Sequence, residues 1–360
     1  MSGGVERRRL ELARRLDPAE FHQRLVCLNG RPDVLAAYKE TGMHVENLKL
    51  QLSPAALARA AAAAVAFQPQ IVHAAVFEGL WLGSLAALVA RAPHLILEEI
   101  DYPLHRSWRG NLALRTLALR ADVCVGVSPA VVDYLRDTAK IPEHKARLIM
   151  NGVREPVFPP ASERAELRRA LGIPEDRIVI GSVGRLLDSH KRFTTLMAAV
   201  RTLTERHPRL HLLIVGAGTD RELLERRRAE LGLEHYVTFS GYESSVGRAL
   251  RVMDLFALVS ERESFGLALV EAMYAGLPVV ATRVGGIPSI VNHEETGLLV
   301  PVDDVSAIAS SLDRLLSDAE LRARFGNAGR ERAHSHFSAE RYVGDVAELY
   351  RELMTSPKSS

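Results

Sequence analysis

Short apolar runs alternate with amphipathic stretches along the whole chain. Runs of this kind are typical of strands that are covered on both faces, and the stretches between them have helical periodicity. The pattern predicts strands at residues 23–28, 43–48, 70–74, 94–100, 122–127, 146–150, 178–183, 211–215, 237–240, 255–259, 278–281 and 297–300. Because helices separate the strands, we expect an α/β protein with parallel sheets.

Several helices have recognisable start signals. Ser53-Pro54 and Ser128-Pro129 each place a capping side chain before a proline at the first helical position. The predicted helices lie at residues 5–16, 53–67, 77–91, 108–120, 129–137 and 342–353, and the tail from about residue 317 is entirely helical.

The chain has 360 residues, a length that suggests two domains. A Gly- and Pro-rich linker at residues 151–160 lies between two sets of strands, so we expect domains at 1–155 and 161–335. The chain opens on Gly3 and Gly4 and passes directly into a helical pattern. A doubly wound sheet normally begins with a strand, so the first strand of the first domain is expected to be missing.

Composition excludes several classes of protein. The formal net charge is +2, with 25% charged and 47% hydrophobic residues, which is ordinary for a globular protein and unlike a disordered chain or a dedicated nucleic-acid binder. Cys27 and Cys124 sit in apolar runs, as buried free thiols of a reducing compartment do. Without a spanning apolar segment or a signal peptide, we expect a cytoplasmic location.

The most informative segment, residues 260–282, reads as strand, loop, helix, glycine stop and strand. We expect Ser264 to cap a helix that begins near Phe265. The free N–H groups of Phe265, Gly266 and Leu267 would then form an anion site at the helix N-terminus.

Two carboxylates flank that anion site, Glu263 in the preceding loop and Glu271 within the helix. A carboxylate beside an anion is unfavourable unless it accepts hydrogen bonds from hydroxyl groups. This pair therefore favours a ligand that carries both phosphate and sugar hydroxyls, as a sugar nucleotide does.

A second segment, residues 178–193, is a buried strand that ends in a glycine-bearing turn at Gly184, followed by Arg185 and Lys191. Two cations at the carboxyl edge of a parallel sheet are well placed to hold a diphosphate. If the diphosphate is a leaving group, they also stabilise the charge that develops on it.

Together these segments resemble glycosyltransferase family 4, the retaining nucleotide-sugar transferases with the GT-B fold. The resemblance covers nearly the whole chain and is most specific from residue 178 to 300. The matching positions are Glu263 and Glu271 for its Glu-x7-Glu motif, Gly184-Arg185 and Lys191 for its donor segment, residues 284–288 and 296–300 for its downstream run, residues 151–153 for the end of its first domain, and residues 2–6 for its N-terminal glycine loop.

The resemblance implies two Rossmann-like domains that face a cleft, with the acceptor bound by residues 1–155 and the donor by residues 161–335. The final helix, residues 336–354, would pack back on the N-terminal domain. It also implies catalytic roles for Lys191 and Arg185 at the diphosphate and Glu263 at the transferred sugar, with no metal and no cofactor besides the donor. The expected donor contacts are Gly3, Gly4, Gly184, Gly216, Tyr242, Phe265, Gly266, Leu267 and, at the ribose hydroxyls, Glu271.

Some positions depart from the family or allow two interpretations. The family commonly has a histidine after the strand at 94–100, where this chain has acidic residues, so Glu99 and Asp101 are acceptor-side candidates with Trp108 and Arg109. Gly216-Ala-Gly218 lacks the third glycine of a dinucleotide site and predicts a tight turn beside the donor. For Tyr242, base contact and a plain core strand end are equally compatible with the pattern.

Two basic groups bear on partners. The run Arg7-Arg8-Arg9 with Arg14-Arg15 reads as a solvated helix face that could also attract an anionic membrane surface. Residues 106–115 form a second, basic and aromatic group. We therefore consider a peripheral contact at the inner membrane face, with a lipid-linked acceptor as one option.

The sequence as a whole predicts a retaining glycosyltransferase that acts on a hydroxyl acceptor, either a glycan, a lipid-linked compound or a small molecule. A nucleotide-sugar epimerase or a phosphorylase would use the same fold. A catalytically impaired sugar-nucleotide-binding protein and a Rossmann oxidoreductase are the further alternatives, and the missing third glycine argues against the oxidoreductase.

Overall fold

The computed structural model describes residues 4–101 and 106–355, and the chain forms two compact units. The N-terminal unit comprises Ser2–Gly152 and Ala339–Ser360, and the C-terminal unit comprises Val153–Ser338. The chain therefore leaves the N-terminal unit inside the predicted linker and re-enters it just before the last helix.

The strands and helices alternate along both units. The strands are β1 (Arg24–Cys27), β2 (His44–Asn47), β3 (Ile71–Ala75), β4 (His94–Glu99), β5 (Val123–Gly126), β6 (Ala146–Leu148), β7 (Ile178–Val183), β8 (Leu210–Val215), β9 (Val237–Gly241), β10 (Leu255–Leu258), β11 (Val279–Thr282) and β12 (Gly297–Val300). The helices are α1 (Gly4–Arg15), α2 (Pro32–Lys39), α3 (Pro54–Phe67), α4 (Phe77–Val89), α5 (Trp108–Ala118), α6 (Pro129–Asp133), α7 (Arg164–Ala170), α8 (Asp188–Lys191), α9 (Phe193–Leu203), α10 (Arg221–Glu230), α11 (Val246–Arg251), α12 (Leu267–Tyr274), α13 (Ile287–Ile290), α14 (Val305–Ser317), α15 (Ala319–His336) and α16 (Ala339–Thr355).

Each predicted strand is present within two residues of its expected ends, and the pairing between strands is parallel, which confirms the predicted α/β class. The two serine caps are also confirmed. The Ala56 N–H donates to Ser53 Oγ over 3.3 Å and the Val131 N–H donates to Ser128 Oγ over 3.4 Å. A π-helical turn, Tyr134–Thr138, continues α6 to the end of the helix that the sequence predicts.

The C-terminal unit holds one sheet in the order β12-β11-β10-β7-β8-β9. Its first strand, β7, lies beside its fourth, β10, so the direction of winding reverses between these two strands. This is the doubly wound arrangement, in which ligands bind outside the carboxyl ends of the strands at the reversal point. Helices on both faces bury a core that includes Phe193 and Phe256.

The strands of the N-terminal unit form two sheets, β1-β2 and β3-β4-β5-β6. Among the described residues β1 does not pair with β3. The order matches that of the C-terminal unit if one strand position between β1 and β3 is left open. Helix α16 belongs to this unit, where Tyr342, Val346 and Leu349 pack with Leu12 of α1 and Ile96 of β4.

The arginines of α1 divide between two environments: Arg14 and Arg15 are exposed, as the sequence predicts, whereas Arg8 and Arg9 are not part of a solvated face. Arg8 and Arg9 both pair with Glu98 of β4, over 2.8 and 2.5 Å, and the Arg8 and Glu98 side chains are only 2% and 1% exposed. Arg14 and Arg15 pair with an acidic residue of the same helix. Burial by itself would raise the pKa of Glu98, but the two guanidinium groups hold it well below its usual range. The tertiary fold thus uses the charges of Arg8 and Arg9 inside the unit.

A histidine beside this cluster predicts a pH dependence of stability. The His73 Nδ1 lies 2.8 Å from the Tyr350 hydroxyl and Nε2 lies 3.4 Å from Glu98. Burial, helped by the nearby Arg9 charge and opposed by Glu98, lowers the pKa of His73 to about 4. The unfolded pKa is about 6.5, so the unfolded chain binds the proton first. The contribution of neutral His73 to the free energy of unfolding is fully present above pH 6.5. As the pH falls towards 4 this contribution is lost, and the loss amounts to as much as about 3 kcal/mol.

Urea unfolding of wild type and His73→Gln between pH 7 and 4.5 measures this effect. We expect the unfolding free energy of wild type to fall more steeply than that of the variant, because other titrating groups are common to both. Parallel pH profiles would show that His73 is not the group responsible.

Candidate active site

The sequence motifs converge at the carboxyl edge of the C-terminal sheet. Gly184 and Arg185 follow β7, Gly216 follows β8, Tyr242 follows β9 and Glu263 lies in the loop after β10. Since β7 and β10 are neighbours, the loops that carry the cations and the first carboxylate start side by side at the reversal point.

Lys191 and Glu263 are in direct contact. Lys191 ends the short helix α8, and its Nζ forms an ion pair with Glu263 Oε1. The hydroxyl of Ser260, a fully buried residue, donates to the same carboxylate oxygen over 3.1 Å. The two charged side chains are 20% and 15% exposed, so solvent reaches them and a ligand can approach. Sequence reasoning proposed both residues but not their pairing.

This ion pair is one of several contacts between the segments 190–192 and 261–263. The Glu261 N–H donates to the His190 carbonyl oxygen over 2.9 Å, Arg262 contacts the His190 ring, and Arg192 pairs with Glu261 over 3.0 Å. Burial, with the nearby Arg262 and Lys191 charges, lowers the pKa of His190. The Lys191–Glu263 contact joins residues that are 72 positions apart in the sequence. No local sequence pattern could therefore have revealed it.

A second neighbouring strand holds the Glu263 loop in place. The Gly286 N–H, after β11, donates to the Glu263 carbonyl oxygen over 2.9 Å. The Thr282 hydroxyl donates to the Ser260 carbonyl oxygen over 2.6 Å, and both residues are fully buried. Ser260, Thr282 and Gly286 are therefore positioning residues that sequence reasoning missed.

The start of helix α12 corrects one expectation. The helix begins at Leu267, two residues after Phe265, and Gly266, in a left-handed conformation (φ 112°), occupies the N-cap position that the sequence assigns to Ser264. The Phe265 ring is 2% exposed and packs edge-to-face on Phe337, with ring centroids 5.8 Å apart. The core takes this side chain, so Phe265 can offer a donor only its backbone.

Glu271 is the fifth residue of α12, a little more than one turn from its start. The N–H groups of Leu267 and Ala268 precede the first backbone bonds of the helix and remain candidates for anion binding, whereas the Leu269 N–H donates to the Gly266 carbonyl oxygen over 2.9 Å. The helix therefore carries the carboxylate and the amide groups at different depths, as the sequence indicates.

The loops after β7, β8 and β9 lie against one another. The Gly184 N–H donates to the Val215 carbonyl oxygen over 3.0 Å and the Gly216 N–H donates to the Gly241 carbonyl oxygen over 2.8 Å. Gly216 has φ 146°, and a Cβ there would overlap the Gly184 carbonyl oxygen. The tight turn predicted at Gly216 is present, and close backbone approach is its physical reason.

The remaining donor-side candidates differ in how the fold presents them. Arg185 is exposed, and no carboxylate of the described residues pairs with it. Tyr242 is 48% exposed, so it is not a core residue. Gly4 is the first residue of α1 in the N-terminal unit, and Gly3 lies outside the described residues.

The acceptor-side candidates do not form one group. Glu99 is 4% exposed within β4 and pairs with Arg106 over 2.6 Å. Burial, opposed by the Arg106 charge, raises the pKa of Glu99. A buried, paired carboxylate is not free to meet an acceptor, so the structure contradicts this assignment. Asp101, Trp108 and Arg109 are exposed and stay candidates.

The described residues contain neither a metal-binding cluster nor a membrane-spanning helix. In residues 4–101 and 106–355, no group of three or more His, Cys, Asp or Glu side chains is arranged to hold a metal ion. No helix within these ranges combines the length and apolar character that crossing a bilayer requires.

A solved structure has a similar fold. The Anabaena protein HepE, in complex with UDP and glucose, superimposes with a TM-score of 0.86 at 22% identity, covering 98% of this chain and 96% of that chain. This similarity confirms the predicted GT-B-like fold.

The sequence comparisons then identify the family. A model described as "Glycosyl transferases group 1" matches residues 163–332, and "Glycosyltransferase Family 4" matches residues 2–155. The chain belongs to glycosyltransferase family 4, which confirms the resemblance seen in its motifs.

Curated relatives agree with this assignment. N-acetyl-alpha-D-glucosaminyl L-malate synthase of Bacillus anthracis is 30% identical over 67% of this chain and 62% of the relative. D-inositol 3-phosphate glycosyltransferase of Corynebacterium urealyticum is 37% identical over 60% of this chain and 53% of the relative. The chain thus spans a little more than half the length of these relatives.

Proposed function

We propose that this protein is a retaining glycosyltransferase that moves a sugar from a nucleoside diphosphate sugar to a hydroxyl acceptor. The observation that carries the proposal is the contact between Lys191 and Glu263 at the reversal point of the C-terminal sheet. A cation for the diphosphate and a carboxylate for sugar hydroxyls stand together where such folds bind ligands.

In the proposed reaction the bond between sugar C1 and the β-phosphate oxygen breaks, and its electron pair stays on that oxygen. The acceptor oxygen forms a new bond to C1 on the same face, and its proton passes to the departing phosphate. Lys191 and Arg185 hold the diphosphate and stabilise the charge that develops on it. Glu271 binds the ribose hydroxyls from its turn of α12.

Donor binding adds phosphate oxygens to the partners of Lys191. An ammonium group has three N–H donors, so Lys191 can keep one hydrogen bond to Glu263 and direct the others at phosphate oxygens. Glu263 has further acceptor capacity for a sugar hydroxyl, and the Ser260 hydroxyl fixes its orientation. The pair thus joins the two halves of the donor through one contact.

The finer parts of the proposal concern partners and location. The donor is the only co-substrate, and neither a metal ion nor a further cofactor takes part. The acceptor carries a hydroxyl, as the L-malate and inositol phosphate in the names of the two relatives do. We place the reaction in the cytoplasm, with peripheral contact at the inner face of the membrane.

Proton NMR of the reaction tests the stereochemistry. We expect an α-linked donor to give an α-linked product, read from the coupling of the anomeric proton, at a rate that EDTA does not change. Candidate donors are first selected by thermal shift, since a ligand at 100 times its Kd adds about 2.7 kcal/mol to stability. UDP, which the similar HepE structure contains, is our first candidate for the nucleoside diphosphate. An inverted product refutes retention, loss of rate in EDTA refutes metal independence, and donor consumption without acceptor indicates an epimerase.

A further inference from the structure

The exposed apolar side chains of this protein are unevenly distributed. Of the fifteen large apolar side chains that are exposed in the described residues, twelve belong to the N-terminal unit. Scattered exposed apolar residues need no explanation, but a contiguous group indicates an interaction surface. The two most exposed of the twelve are Trp108, the first residue of helix α5, and Leu119, its C-cap residue.

One face of α5 is apolar and open to solvent. Trp108, Leu112 and Leu119 are 70%, 54% and 76% exposed, and Arg115, also exposed, lies between them. At about 100° per residue these four positions fall within about 60° of arc, so they form a single stripe. We call this stripe, Trp108, Leu112, Arg115 and Leu119, the α5 stripe.

The opposite face of α5 anchors the helix in the core. Leu114 and Ala118 are each 2% exposed and belong to the apolar cluster of the N-terminal unit. The Ser107 hydroxyl caps the helix start by accepting the Gly110 N–H over 3.2 Å. Trp108, Leu112 and Arg115 are therefore held outward by a fixed helix, and Leu119 follows as its C-cap residue in helical conformation.

The sequence segment that carries the α5 stripe has charges of one sign. The sequence between Asp101 and Asp122 contains four arginines and no aspartate or glutamate. Arg109 lies over the Trp108 ring, 5.4 Å from its centroid, and Arg106 is already paired with Glu99. Lys145 adds a cation at the C-terminal end, where it donates to the Ala118 and Leu119 carbonyl oxygens.

We propose that the α5 stripe docks on an anionic lipid bilayer. Trp108, Leu112 and Leu119 enter the boundary between headgroups and acyl chains, and Arg109 and Arg115 contact lipid phosphates. An exposed Trp and Leu face with flanking arginines is the composition of helices that lie in a membrane interface. Of the α1 arginines that the sequence suggested for this role, Arg8 and Arg9 are paired with Glu98 inside the unit.

This inference deepens the peripheral membrane contact of the proposed function. Its basis is independent of the donor site, because every residue of the α5 stripe belongs to the N-terminal unit. Vesicle binding and UDP binding can therefore be measured separately on the same protein.

The two tryptophans of the chain are Trp81 and Trp108, so Trp81→Phe leaves Trp108 as the sole reporter. We expect this protein to float with vesicles of phosphatidylcholine and phosphatidylglycerol in equal parts, with a blue shift of Trp108 emission. Binding to pure phosphatidylcholine should be about tenfold weaker or more, and added salt should weaken binding to the mixed vesicles.

Variants of the α5 stripe test the residues in the same background. Leu112→Ser with Leu119→Ser, and separately Arg115→Glu, should each weaken vesicle binding by about tenfold or more. The matched control is Leu223→Ser with Arg226→Glu on α10 of the C-terminal unit, where Leu223 is 43% exposed. The control should bind vesicles as the parent does.

Several results would overturn the proposal. These are absence of vesicle binding, equal binding to neutral and anionic vesicles, or α5 variants that bind like the control. Self-association in lipid-free buffer that the α5 variants abolish would assign the α5 stripe to a second copy of the chain. UDP stabilisation that survives in all variants shows that the donor site is intact in each of these failures, whereas a protein that no nucleoside diphosphate stabilises would refute the proposed function.

Discussion

Lys191→Ala is expected to reduce kcat by about 10²- to 10³-fold, the cost of removing one group that stabilises a developing charge. The variant should also bind UDP more weakly, because Glu263 is left without its partner beside the diphosphate. A unit charge about 4 Å away contributes about 4 kcal/mol at the effective dielectric constant of a protein surface. Steady-state kinetics and calorimetric titration with UDP measure the two effects.

Glu263→Gln distinguishes a catalytic pair from a structural one. It should also lower kcat, but it should leave UDP affinity unchanged or raise it, because a negative charge beside the diphosphate is removed. Opposite changes in UDP affinity are not expected from two residues that only hold the loops together. Arg226→Ala, an exposed cation of the same unit, serves as the control and should behave as wild type.

Near-wild-type turnover in Lys191→Ala would contradict its role at the diphosphate. Equal weakening of UDP binding in both variants, with a lowered unfolding temperature, would indicate a structural contact between residues 190–192 and 261–263. Both results require a folded protein, which circular dichroism and thermal unfolding establish for each variant.

Glu98→Gln is expected to destabilise the N-terminal unit by about 3–5 kcal/mol, because it leaves Arg8 and Arg9 buried without a counter-charge. Both guanidinium groups pair with this one carboxylate, and the side chains of Glu98 and Arg8 are almost completely buried. For a unit of this size the unfolding temperature should fall by about 10 °C. Thermal and urea unfolding measure the change.

A surface ion pair provides the matched control. Glu352 pairs with Arg147 in the same unit, with side chains 44% and 39% exposed, so Glu352→Gln should cost about 1 kcal/mol or less. Adding Arg8→Met to Glu98→Gln should recover part of the loss, since one uncompensated charge is removed. If Glu98→Gln costs no more than Glu352→Gln, the buried-charge explanation is wrong.

Much of the candidate donor side could be placed in the fold from the sequence because its signals are local. Gly184, Lys191, Glu263 and Glu271 sit at fixed spacings after strands, and these spacings placed them at one edge of a parallel sheet. The acceptor side was predicted less well. Whether Glu99 is free or paired depends on Arg106 and on burial within β4, and neither can be inferred from spacing.

The start of α12 shows where local rules fail even near a strong motif. Ser264 looks like a cap, but the helix starts at Leu267 because Phe265 enters the core against Phe337 and Gly266 turns the chain. Tertiary packing therefore overrode capping preference by two residues. The N–H groups that the motif offers to an anion shift by the same amount.

By itself, the sequence determined the strands, their alternation with helices, the serine caps and the family, because hydrophobic periodicity, capping and motif spacing act over a few residues. Only the tertiary structure decided that Lys191 pairs with Glu263, that Arg8 and Arg9 pair with Glu98, and that the apolar side of α5 faces solvent. Each of these depends on which distant segment lies opposite, since charge pairing and burial are properties of neighbours in space.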